Sequence, residues 1–121
     1  MFQAEVDKSK NLLKFVFSAH VTKEETTRWR SDLGGVLEQM RPGFKLLSDL
    51  SGVDSIDDAC ASDFEYAMEQ LDKAGMARVV RIITHPRQDI GLSIMSLFHY
   101  RRRIVIVTCE TMEEAVRALA D

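Results

Sequence analysis

Short apolar or alternating segments recur along this chain, and stretches of helical periodicity separate most of them. That alternation constrains the fold more than any other feature, because strands interleaved with helices specify a largely parallel sheet covered by its own crossovers. Residues 3–7 and 12–17 read as two strands, and the polar run Lys8-Ser9-Lys10-Asn11 between them reads as a hairpin turn. Residues 44–49 and 77–83 read as further strands, and Ile104-Val105-Ile106-Val107 as a buried one.

The helical stretches carry their own start and stop signals. Thr22 and Glu25 stand at capping-box spacing. Trp29, Leu33, Val36, Leu37 and Met40 then recur on one face, and Pro42-Gly43 marks the exit. Gly34-Gly35 within this helix is expected to permit a close approach. A second helix is expected from Asp57 or Asp58 to residue 73. Cys60, Phe64, Ala67, Met68 and Leu71 form its inner face, and Gly75 caps its end. Ile90, Ile94, Leu97 and Phe98, broadened by Leu92 and Met95, predict a third helix after His85-Pro86. Thr111 and Glu114 repeat the capping spacing before Met112, Ala115, Val116 and Leu119. The expected order is β-β-α-β-α-β-α-β-α: an α/β fold with a mixed, mainly parallel sheet. Residues 50–53 and the acidic stretch after them are expected to form a loop.

Composition fits one domain over residues 1–121, since 45% of the chain is hydrophobic and a core of this size needs no metal or disulfide staple. The two cysteines, Cys60 and Cys109, are too few for a disulfide scaffold, and a reduced, packed Cys109 is expected beside its apolar run. No metal and no cofactor are expected, because His20, His85 and His99 are dispersed and so are the cysteines. The first seven residues lack the basic-then-apolar pattern of a signal peptide, and no apolar run is long enough for a membrane-spanning helix. A cytoplasmic protein is therefore expected.

The net charge of −3 hides an asymmetry. Residues 41–75 hold three positive against eight negative groups, a formal charge of −5; residues 76–103 hold six arginines against one aspartate, a charge of +5. Such a separation orients a protein partner or a second copy of the chain, unless folding brings the halves together.

The run Asp49-Leu50-Ser51-Gly52-Val53-Asp54-Ser55-Ile56-Asp57, in this element order, resembles the STAS superfamily, named for sulfate transporters and anti-sigma-factor antagonists. The similarity is strongest to its small stand-alone bacterial members. The resemblance implies a STAS-like single domain that acts by binding a protein partner. In the regulatory members the motif often continues Ser-Ser-Gly or Ser-Thr-Gly, and the first serine after the acidic residue is commonly phosphorylated by an anti-sigma kinase. Here Asp57 is followed by Asp58, Ala59 and Cys60. Asp58 occupies the phosphoacceptor place and has no hydroxyl, so a serine switch at that position is not expected. Asp58 imitates part of a phosphoserine's charge, or simply caps a helix. Ser51 and Ser55 carry hydroxyls, but turn and capping roles explain both.

The resulting expectation is a non-enzymatic interaction or regulatory domain with an unidentified protein partner, contacted through Asp49, Ser51, Asp57 and Asp58. The alternative is a carrier or sensor of a lipid or small amphipathic anion, with Arg101, Arg102 and Arg103 at the mouth of an apolar cavity. That triplet beside Phe98-His99-Tyr100 is no strong nucleic-acid signal in an acidic chain. A small enzyme, using His85, His99, Asp89 or Cys109, is the third reading. A homodimer is compatible with each.

Overall fold

The computed structural model describes residues 1–83 and 104–120. Five strands form one sheet in the order β1-β2-β3-β4-β5. They are β1 (Phe2–Asp7), β2 (Leu12–Val21), β3 (Lys45–Ile56), β4 (Arg78–Ile82) and β5 (Val105–Cys109). β1 runs antiparallel to β2, and every other pair is parallel. The helices are α1 (Lys23–Leu37), α2 (Ala61–Lys73) and α3 (Met112–Ala120), with a 3-10 turn at Asp58–Cys60 leading into α2. This is the expected mixed, mainly parallel α/β architecture. The third predicted helix lies outside the described residues, as do His85, Arg87, Asp89, His99, Tyr100 and Arg101 to Arg103.

The two-residue period of the strands sends side chains alternately to two cores. Leu13, Phe15, Phe17, Leu46 and Val79 meet Trp29 and Leu33 of α1 and Ala67 and Leu71 of α2. Their neighbours in sequence, Leu47 and Val80, join Ile82, Cys109 and Ala115 of α3.

The capping box is present. Thr22 Oγ1 accepts the Glu25 amide at 3.2 Å, and Glu25 Oε1 accepts the Thr22 amide at 3.4 Å. α2 closes on Gly75, whose φ of +91° suits glycine. The Gly75 and Met76 amides donate to the Asp72 and Leu71 carbonyls at 3.0 and 3.2 Å, a Schellman closure. Among the described residues Gly34 and Gly35 serve no close approach: a Cβ built at either meets no atom within 4 Å outside its own helix turn.

Two cations of the sheet satisfy the carbonyl end of α3. Lys45 Nζ donates to the Leu119 carbonyl at 2.5 Å, and an Arg78 Nη1–H donates to the Ala118 carbonyl at 2.6 Å. Positive charge at a helix C-terminus also meets the negative end of the dipole. Arg78→Ala is expected to cost about 1 kcal/mol in urea unfolding. It should also raise amide exchange in the last turn of α3.

Candidate functional site

β3 outruns the sheet. Among the described residues, β4 pairs with it only along Lys45 to Asp49, and beyond that point β3 keeps one neighbour, β2, as far as Ile56. Residues 50–56 are thus strand throughout, which corrects the expected loop. The pairing is not regular. Val16 and Ser18 face Asp49 and Gly52, and Ala19 and His20 face Val53 and Ser55, so β3 carries an extra residue at each register shift. Ala19 takes a φ of +58° at the second shift.

These shifts place the predicted residues in two groups. Asp49, half-buried, accepts the Ser51 hydroxyl at 2.6 Å and the Ser51 amide at 3.0 Å through Oδ1. At the far end of β3, Asp57 Oδ1 lies 2.8 Å from His20 Nε2, and Asp57 Oδ2 accepts the Lys23 amide at 3.2 Å. His20 Nδ1 lies 2.5 Å from Ser55 Oγ. Among the described residues no hydrogen bond joins Asp49 or Ser51 to Asp57 or Asp58.

Asp57 precedes the 3-10 turn, but its carboxylate makes no cap hydrogen bond there. Instead it caps α1. Val21 and Ile56 pair side by side, and the Asp57 amide donates to the Val21 carbonyl at 3.0 Å, so the carboxylate meets the first turn of the other helix. Ser55 bonds to His20 rather than forming a local cap with Asp58. Asp58 is exposed in the first turn of the 3-10 helix.

A second polar cluster lies beside the site. The Asp63 side chain is 2% exposed, and Oδ2 accepts Lys23 Nζ at 2.8 Å and Thr26 Oγ1 at 2.7 Å. Arg30 Nη1 stands 3.5 Å from the other carboxylate oxygen, with its guanidinium 4.0 Å from the centre of the Tyr66 ring. Burial raises the Asp63 pKa, but the hydrogen bonds from Lys23 and Thr26, with the charge of Lys23, outweigh it and hold the carboxyl below the ordinary aspartate range. This cluster ties α1 to α2.

Neither His20 nor Asp63 was selected by the sequence. The only signal for Asp63 is its spacing of four and eight residues from the inner-face Ala67 and Leu71. His20 had none, because its partners lie 35 and 37 positions away.

Cys60 and Cys109 are free and buried. Burial pushes the Cys109 thiol up, and the nearby Glu114 adds to the shift, so this sulfur is held as the unreactive thiol. The core beneath Trp29 contains a cavity of about 40 Å³ lined by Phe15, Phe17, Trp29, Phe64, Met68 and others. That is far below the roughly 300 Å³ at which small-molecule pockets begin. Among the described residues no three His, Cys, Asp or Glu side chains form a metal-holding group, and no helix is long and apolar enough to cross a membrane.

No protein-family model and no curated protein matches the sequence. Solved structures do match. An uncharacterised protein from Shewanella loihica PV-4, of the DUF3478 family with a SpoIIAA-like fold, superposes with a TM-score of 0.73 at 18% identity, covering 98% of this chain and 92% of its own. The chain has a SpoIIAA-like fold. The Bacillus cell fate determinant SpoIIAA in its phosphorylated form gives a TM-score of 0.69 at 13% identity, over 98% of this chain and 99% of that one. An anti-sigma factor antagonist from Mycobacterium paratuberculosis gives 0.63 at 18% identity, over 100% and 96%. Within this SpoIIAA-like fold, Asp49 ends the stretch of β3 paired with β4, Ser51 lies on the overrunning part, and Asp57 and Asp58 lie in the turn that follows.

Proposed function

We propose that this chain is a non-enzymatic interaction or regulatory module that binds a protein partner through the acidic end of β3. The supporting observation is the placement of Asp58: an exposed carboxylate, with the half-buried Asp57 before it, at the turn joining β3 to α2. Structural neighbours named as anti-sigma factor antagonists lend the reading its direction. A carboxylate at this position is a permanent charge. Binding governed by it is constitutive rather than switched at residue 58, and it favours a basic partner surface. The proposed contact also takes in Asp49 and Ser51, the separate group further back along β3.

The test compares partner affinity of the wild type with that of Asp57→Ala/Asp58→Ala by titration calorimetry. The expected loss is about tenfold or more, from removing charges at a complementary interface. Circular dichroism should stay unchanged. Unchanged affinity for every partner in the folded variant would remove this surface from the account.

A further inference from the structure

We propose that Ser55 is a nucleophilic serine, activated by His20 and Asp57, that accepts an acyl group from a small activated ester. The geometry shares Asp57 with the partner-binding reading but does not involve Asp58. Ser55, near the end of β3, and Asp57, just past it, both meet the His20 ring. Continuing the register of Ala19 and Val53 without a shift would set His20 opposite Asp54; the shift sets it opposite Ser55. The residue that makes the change, Ala19, holds a left-handed conformation that side-chain-bearing residues rarely adopt. Backbone outliers of this kind gather where a side chain has to be aimed.

The hydrogen bonds assign the protons. A carboxylate only accepts, so the His20 nitrogen 2.8 Å from Asp57 Oδ1 carries the ring proton of the neutral imidazole. The lone pair on Nδ1 then faces the Ser55 hydroxyl at 2.5 Å. Asp57 is itself held by the Lys23 amide at 3.2 Å. Nucleophile, base and orienting carboxylate therefore stand in sequence as in serine triads, but with the ring nitrogens exchanged: Nδ1 faces the serine and Nε2 the carboxylate. The His20 side chain is 51% exposed and Ser55 is exposed, so an ester has access. In the step, Ser55 Oγ bonds to the acyl carbon and His20 Nδ1 takes the hydroxyl proton. The bond from the acyl carbon to the leaving oxygen breaks, and the leaving group departs as an alkoxide or phenolate that recovers a proton from His20 or solvent. The product is an ester on Ser55.

The experiment treats the full chain with p-nitrophenyl acetate, follows nitrophenolate release and maps acetylation by peptide mass spectrometry. Lysine acetylation in the same sample is the internal reference. The expected result is a burst with acetyl on Ser55, absent in Ser55→Ala. The Ser55-to-lysine ratio should fall about a hundredfold in His20→Gln, which lacks a basic ring nitrogen. Asp57→Asn, a second variant that keeps the side-chain shape, should lower the ratio too. Acetylation confined to lysines and the N-terminus would overturn the proposal, as would an unchanged ratio in both folded variants.

Discussion

Trp29→Ala lowers the unfolding free energy by about 4 kcal/mol and the melting temperature by roughly 15 °C. Trp29 is 4% exposed and joins the sheet to both helices on its face. Phe15 and Phe17 meet the indole edge-on, with ring centres 5.4 and 5.3 Å away, and Phe2 and Phe64 approach at 6.0 and 5.4 Å. Truncation removes the largest side chain from this group and its favourable ring contacts. It also enlarges an existing void of about 40 Å³, so collapse cannot recover much of the loss. Trp29→Phe, which keeps a ring in place, should cost less than half as much. Urea unfolding followed by far-UV circular dichroism reads both. A cost below about 1 kcal/mol for Trp29→Ala would contradict the packing of α1 described here.

Asp63→Asn carries the second large effect, about 2 kcal/mol near neutral pH. The buried carboxylate receives Lys23, Thr26 and Arg30, and the amide can satisfy only part of that set. The figure stays below that for a fully buried ion pair because the Lys23 and Arg30 side chains are 44% and 45% exposed and regain water when released. The pH dependence has a definite sign. The folded pKa of Asp63 lies below its ordinary value of 3.8, so its stabilisation is complete above that value. It is lost as pH falls through the folded value, where the native carboxylate takes up its proton. Asp7 and Glu25, also lowered, give slopes of the same sign in both proteins, so the difference between wild type and Asp63→Asn isolates Asp63. That difference should shrink as pH falls below about 4. A difference independent of pH would mean that the charge on Asp63 does not matter.

The alternation of apolar runs and helical stretches was sufficient for the sheet and for the helices among the described residues. It failed where the chain departs from regular periods. Beyond Asp49 the apolar residues of β3 are Leu50, Val53 and Ile56, spaced by three, with Ser51-Gly52 and Asp54-Ser55 between them. Two extra residues absorbed at the register shifts produce that spacing, and a strand whose period is broken by bulges reads as a loop. β2 was cut short at Phe17 for the same reason: Ser18, Ala19 and His20 pair with the irregular part of β3. The candidate site was legible where it is local and acidic, at Asp57 and Asp58. Its histidine was not, because parallel pairing joins residues that no local spacing connects. Asp63 was legible in principle, as a carboxylate in an apolar helical stripe, yet that pattern alone does not name Lys23 or Arg30 as its partners.

The proposed contact holds a protein partner at the acidic end of β3. Intact-complex mass spectrometry on the chain purified gently from its native cells tests it most directly, with wild type and Asp57→Ala/Asp58→Ala run side by side. The wild type should carry a second protein in a stoichiometric complex, and the folded double variant should lose it. The same complex surviving in the double variant would contradict it, as would a wild-type chain that carries only a small molecule and no protein.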